Sequence, residues 1–214
     1  SRRLALSLLT ICLFVVISGL VGIVYTNAIN NRLNLVAQTT APALKMMDDM
    51  IISLLKNNNA MRIFASESSF NKLDELRQRF DRFNTEFNEA ELSIRKLVKD
   101  HKVLENIDTA AKRHREFNNK AIEMMNTRIN ELNARSPEEK SGMKQRKQDT
   151  LLEIETITEE AVAILDEVTE NVKESNIQAS SESFKAVQNM RLILVLTTLI
   201  SMVAAIASGF FLSK

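Results

Sequence analysis

The side chains best suited to binding chemistry form one polar cluster, Asn57, Asn58, Asn59 and Arg62. Asn57 interrupts an apolar seam, where an asparagine fixes helix register at some cost in stability. Asn58 and Arg62 follow the outer face of the same predicted helix, where they could hold a small ligand. Because an arginine fork suits a carboxylate, this second interpretation predicts an anionic or zwitterionic ligand.

Catalytic chemistry finds no support in the sequence. The chain has two histidines, His101 and His114, and one cysteine, Cys12, which lies in an apolar segment. No Ser-His or Cys-His arrangement and no glycine-rich phosphate loop is present. His114 occupies a seam position, which favours a satisfied core histidine over a ligand or a proton switch. We therefore expect no enzyme, no cofactor and no metal site.

Charge patterning excludes a nucleic-acid surface. The chain carries 28 basic and 27 acidic residues, so it has no excess positive charge for phosphate binding. Arg77, Arg79 and Arg82 form a local basic cluster, but acidic residues are interleaved with them. This pattern is typical of a solvated helix face.

Two apolar segments, residues 4–25 and 192–212, lie at the two ends of the chain and are predicted to anchor the residues between them in a membrane. Each is long enough to cross the roughly 30 Å hydrocarbon layer of a bilayer. A cleaved signal peptide is the alternative for the first segment, but the apolar run exceeds a signal core of about 7 to 15 residues. Basic residues in 1–3 and 213–214 favour cytoplasmic termini, although basic residues also flank the inner ends.

Residues 26–191 show apolar residues at alternating spacings of three and four, which predicts packed helices. The pattern divides into four predicted helices, at about 27–65, 69–98, 103–134 and 142–191. The connections are short, so successive helices should be antiparallel neighbours. The predicted fold class is all-α: an up-down-up-down four-helix bundle anchored by two transmembrane helices.

The breaks between the helices contain typical helix-start residues. Ser66–Ser69 offers hydroxyl N-caps for the second helix, and Lys99–Lys102 is a short polar joint. Ser136 followed by Pro137 marks a third helix start. Pro42 lies inside the first helix and predicts a kink or a restart.

The first predicted helix carries a second apolar stripe on its outer face. A single bundle has no use for such a stripe, so it predicts packing against a second copy of the chain, with a ligand at the polar end of that contact. The stripe and its polar end comprise Ala37, Leu44, Ile51, Leu55, Asn58 and Arg62.

This layout resembles the transmembrane sensor module of bacterial chemoreceptors, the methyl-accepting chemotaxis proteins, and of related sensor histidine kinases. The resemblance covers the whole chain and implies an inner-membrane homodimer with a periplasmic bundle. It also implies a solute site at the membrane-distal dimer interface, where Arg62 matches an arginine of the first helix. Asp149 and Thr150 lie near the polar groups expected at the start of the fourth helix.

The implied function is detection of an extracytoplasmic stimulus and its transmission, by a small helix displacement, to cytoplasmic signalling proteins. The partners expected are membrane lipid, a second copy, and a small ligand or a periplasmic binding protein, with no nucleic acid. Two alternatives stay open: the input module of a histidine kinase or diguanylate cyclase, and a structural membrane-anchored coiled-coil assembly protein. The missing initiating methionine suggests a segment of a longer protein.

Overall fold

The computed structural model describes the backbone of residues 2–212 and most of their side chains. The side chains outside the described part are those of residues 2–11, 14, 32, 33, 35, 179, 183, 205 and 208–212. The predicted start of a cytoplasmic region at 213–214 lies outside the described residues, as does the first residue of the predicted tail at 1–3. The chain divides into two compact units. One unit is Thr39–Lys173, and the other consists of the two end segments, up to Gln38 and from Glu174 onward.

The fold is all-α, as predicted, with no strand among residues 2–212. The helices are α1 (Arg2–Leu35), a short π-helical segment (Val36–Thr40), α2 (Ala41–Ser66), α3 (Phe70–Leu97), α4 (His101–Asn133) and α5 (Pro137–Leu212). The unit Thr39–Lys173 contains α2, α3, α4 and the first part of α5, and these four form the bundle.

Contacts between side chains show that neighbouring helices run antiparallel. Arg62 of α2 pairs with Glu155 of α5, whereas Met47, earlier in α2, accepts a hydrogen bond from Thr169, later in α5. The residue numbers therefore run in opposite directions along the two helices. The pairs Asn84–His114 and Arg95–Asp108 show the same antiparallel order for α3 and α4. The pairs Lys120–Glu153 and Arg113–Glu160 show it for α4 and α5.

The bundle is held by the seams that the sequence predicts, because each seam buries one stripe of its helix. The buried apolar residues form two clusters. The first, toward the α2–α3 connection, includes Met61, Phe64, Phe80, Phe117 and Ile154, and the second includes Met50, Leu54, Phe87, Ile107 and Leu165. Four methionines are fully buried in this core, Met47, Met50, Met61 and Met124.

The helix ends differ from the sequence predictions in two respects. Ser69 is the N-cap residue of α3, but its hydroxyl makes no capping bond. Glu67 stabilises the connection instead, because its Oε1 accepts hydrogen bonds from the backbone N–H groups of Ser68 and Ser69. The last helix begins at Pro137 and not at 142, because the Ser136 hydroxyl accepts a bond from the N–H of Glu139 and caps it there.

The predicted break before α4 is confirmed. Asp100, in the polar joint before α4, accepts hydrogen bonds from the N–H groups of Lys102 and Val103. Pro42 does not break its helix: Thr40 keeps an αR backbone without a side-chain cap, and the π-helical segment Val36–Thr40 leads directly into α2. The irregularity associated with the proline is therefore the π-helical turn before it and not a helix end.

Candidate functional site

A buried polar layer separates the two apolar clusters of the bundle. Three helices contribute to it, through Asn57 of α2, Asn84 of α3 and His114 of α4. The Asn57 Nδ2 group donates to Asn84 Oδ1 at 2.8 Å, and His114 Nε2 lies 3.0 Å from the same oxygen. Asn57 is 0% exposed and His114 is 2% exposed. The prediction that His114 is a hydrogen-bonded core residue is confirmed.

The surroundings of His114 favour its neutral form. Its ring stacks on Phe87 with the centroids 3.7 Å apart and the planes inclined by 25°. Burial lowers the pKa of His114 to about 4, and the positive charge of Arg115 acts in the same direction. A neutral imidazole that donates through Nε2 satisfies the Asn84 carbonyl, so the hydrogen bond does not require a charged ring.

The layer is not fully satisfied within the described part of the bundle. The side-chain oxygen of Asn57 is buried without a hydrogen-bond partner, and so are those of Asn58 and Asn118. A buried amide oxygen without a donor costs free energy, which makes these asparagines costly for stability. Asn57 thus occupies the buried position that the register-fixing interpretation requires, and its partner is Asn84 of the neighbouring helix α3.

Arg62, the central residue of the predicted ligand site, lies on the exposed flank between α2 and α5. Its Nε donates to Glu155 Oε1 at 2.9 Å, and the Arg62 side chain is 56% exposed. Its two terminal nitrogens make no hydrogen bond to a described residue, so part of the guanidinium fork remains open. Asn58 lies one turn earlier in α2, and its buried side-chain oxygen is unpartnered.

Asp149 and Thr150 are engaged within their own helix. Asp149 is exposed and accepts a hydrogen bond from Gln145 Nε2 at 2.9 Å. Thr150 is buried, and its hydroxyl donates to the carbonyl of Arg146. The described contacts of Arg62 are made with Glu155 and not with either residue. A role for Asp149 and Thr150 in binding therefore stays a prediction.

The predicted dimer stripe is accessible along α2. Leu55 is 50% exposed, Leu44 and Ile51 are half-buried, and Ala37, in the π-helical segment, is exposed. Ile51 also packs against the second apolar cluster, so it serves the bundle as well as the surface. The stripe is thus available for a partner, and the homodimer remains a prediction.

A second polar cluster, not predicted from the sequence, lies where the α2–α3 connection meets α4 and α5. Arg128 donates through Nε to the carbonyl of Glu67 at 2.9 Å and through Nη1 to Glu131 Oε2 at 2.7 Å. Lys147 Nζ donates to the same Glu131 oxygen at 2.7 Å. Burial opposes ionisation of Glu131, but the bonds from Lys147 and Arg128 outweigh it and lower its pKa.

This cluster is structural, because Arg128 joins the α2–α3 connection to α4, and Glu131 joins α4 to Lys147 of α5. In the sequence, the only sign of this cluster is that Arg128 and Glu131 are three residues apart, a spacing that is also typical of solvent-exposed ion pairs on a helix. The unusual feature is burial, since the Arg128 side chain is 8% exposed. No group of three or more potential metal-ligating His, Cys, Asp or Glu side chains occurs in the described part of the chain.

Among the described residues, one helix is apolar and long enough to cross a membrane: α5, within Pro137–Ala204. The predicted first span at 4–25 falls partly on side chains outside the described part. Where α1 is described, most of its large apolar side chains are exposed, among them Leu13, Val16 and Ile23.

The helices and their antiparallel packing define an all-α four-helix bundle. The chain belongs to the family of four-helix-bundle sensory modules for signal transduction, whose model matches residues 1–176. That match covers α1 to α4 and the first part of α5. No curated protein and no solved structure matches the chain.

Proposed function

We propose that this protein is the sensor module of a bacterial chemoreceptor, which detects an extracytoplasmic stimulus and passes it to a cytoplasmic signalling domain without catalysing a reaction. The family match over residues 1–176 is the observation that carries the sensory role. The input module of a histidine kinase or a diguanylate cyclase would have the same bundle, and the output domain distinguishes the three.

The proposed location is the inner membrane, with the bundle in the periplasm and both ends of the chain in the cytoplasm. Two features support it. The last part of α5 exposes apolar side chains such as Leu196 and Val203, and the described part of α1 does the same with Leu20 and Val24. A helix that is apolar on all sides and exposed is suited to lipid.

The open part of the Arg62 fork supports a ligand site on the outer face of α2. Glu155 is already beside it, and its side chain is 28% exposed. An incoming carboxylate can bind the free terminal nitrogens of Arg62, while Glu155 can accept from an ammonium group. The Arg62–Glu155 pair therefore favours a zwitterion, most simply a free amino acid.

A thermal-shift screen of the chain in detergent tests this site directly. The probes are the common amino acids, dicarboxylates and inorganic anions. We expect a stabilising zwitterion whose affinity falls by about 10- to 150-fold in Arg62→Ala, the loss of a charge-assisted contact. Arg146→Ala is the matched control, because Arg146 also forms an exposed pair with a glutamate of another helix. A ligand that stabilises wild type and Arg62→Ala equally would exclude this site.

The exposed stripe on α2 supports dimerisation through this helix. In a Cys12→Ser background, Leu55→Cys should form a disulfide with its copy under mild oxidation. Leu92→Cys on α3 is the matched control, since Leu92 is 57% exposed and Leu55 is 50% exposed. Equal cross-linking at both positions would remove the argument for this interface.

The proposed mechanism is a small displacement of α5 relative to α2. Ligand contacts to both Arg62 and Glu155 join these helices, so binding favours one of their relative positions. Shifts between packed helices of this kind are about 1–2 Å, and the coupling free energy is typically about 1–3 kcal/mol. Because α5 is helical from Pro137 to Leu212, the displacement has a continuous element to follow.

A further inference from the structure

A groove of about 290 Å³ lies between α2 and α3, on a different flank of α2 from Arg62. Its charged lining comes from Lys56, Arg79 and Arg82, all exposed. The volume is close to the lower end of the roughly 300–1,000 Å³ that is usual for small-molecule sites. The groove belongs wholly to the bundle.

The charges of the groove are of one sign. Lys56 Nζ lies 5.3 Å from the centroid of the Phe83 ring, and Arg82 Cζ lies 5.0 Å from the same centroid. Among the described residues, no acidic side chain lines the groove. Glu86 is the one carboxylate paired with these cations, at 3.7 Å from Arg82 Nε along the same helix. Like charges that converge on one ring repel each other, so a bound anion would lower the free energy of the groove.

The uncharged part of the lining is apolar except for the exposed side chain of Asn59. Phe83 and Leu76 are buried and form the floor, and Ile63 is 43% exposed at the edge. Lys56 and Arg82 both lie within cation–π distance of the Phe83 ring, so each charged end has an aromatic surface beside it. A ligand that fits this lining has a single anionic end and a short hydrocarbon part.

We propose that the α2–α3 groove binds a short-chain organic carboxylate, with its carboxylate among Lys56, Arg79 and Arg82 and its hydrocarbon part against Ile63 and Leu76. Arg79 is the cation that is neither paired with a carboxylate nor placed over the Phe83 ring in the described structure. Its full fork is therefore available for the carboxylate. This binding is independent of the sensory role, because it uses neither the α2–α5 flank nor a second copy of the chain.

Hexanoate is a suitable probe, and hexanamide is its neutral counterpart of nearly the same size. Equilibrium binding of labelled hexanoate to the whole chain in detergent should saturate in the millimolar range, weaken with added salt, and not be displaced by hexanamide. Arg79→Gln should weaken binding about tenfold, and Lys56→Gln should weaken it less.

Arg77→Gln is the matched control, since it removes the same charge from the same helix but Arg77 does not line the groove. It should leave hexanoate binding unchanged, as should Arg62→Ala, which separates this site from the proposed sensory site. Each variant is checked for wild-type helicity. Displacement by hexanamide, unchanged binding in Arg79→Gln, or equal losses in Arg77→Gln and Arg79→Gln would overturn the proposal.

Discussion

His114 makes the stability of the bundle depend on pH in a defined window. Its pKa is about 4 in the folded chain, against 6.5 for a solvated histidine. The unfolded chain therefore takes up a proton at a higher pH than the folded chain does. The stability from the neutral ring is complete above pH 6.5 and is lost as the pH falls toward 4. At about 1.4 kcal/mol per pH unit, the loss at the end of this window is about 3 kcal/mol.

The perturbation that isolates this effect is His114→Gln, which keeps an N–H donor for Asn84 but does not titrate. Denaturant unfolding followed by circular dichroism gives the free energy of unfolding at pH 7, 5 and 4. Wild type should lose about 3 kcal/mol more than His114→Gln between the first and last pH. His101→Gln, at the exposed start of α4, should follow wild type. Parallel curves for wild type and His114→Gln would refute the reasoning.

Three other predictions concern the helix connections, and all are measured by denaturant unfolding. Arg128→Ala should cost about 2 kcal/mol, because it leaves the Glu67 carbonyl without its donor. Arg113→Ala, in an exposed pair, should leave the unfolding midpoint unchanged, so equal losses would contradict the buried role of Arg128. Asp100→Ala should cost about 1 kcal/mol by removing the cap of α4. Ser69→Ala should cost almost nothing, since its hydroxyl makes no capping bond, and a larger loss would show that it caps α3 in solution.

The buried residues of the bundle can be predicted from the sequence, because the spacing of apolar residues along one helix is enough to identify its buried face. The alternation of three and four residues from Leu73 to Ile94 identifies every residue of α3 that is buried, with Leu97 half-buried at the end. The same pattern places His114 in the core. These are predictions about one face of one helix, and they need no knowledge of the neighbouring helices.

The partners of the buried polar groups do not follow in the same way. That Asn57 bonds to Asn84 depends on the relative rotation and height of α2 and α3, and Asn84 is only half-buried and outside the seam. Lys147 is buried because Glu131 lies opposite it on another helix, which no local pattern reveals. The capping role of Glu67 likewise depends on the conformation of the connection, where a carboxylate competes with the serine hydroxyls.

In the candidate sites too, the sequence identifies single residues but not their partners on other helices. Arg62 could be singled out from its place on the outer face of α2, but its pairing with Glu155 needed the α2–α5 register. The groove at Arg79 and Arg82 was interpreted from sequence as a solvated face, and both side chains are exposed as expected. The sequence did not show that Lys56 of α2 lies beside them, above the Phe83 ring.

Signalling by a chimeric receptor tests the central claim most directly. The chain is fused at its C-terminal end to the cytoplasmic part of a chemoreceptor that controls a kinase, and kinase activity is measured with the amino-acid panel. We expect at least one amino acid to change the activity, with Arg62→Ala raising the half-maximal concentration tenfold or more and Arg146→Ala leaving it unchanged. A chimera with a normal resting kinase activity that responds to no amino acid, or that responds equally well with Arg62→Ala, would contradict the account.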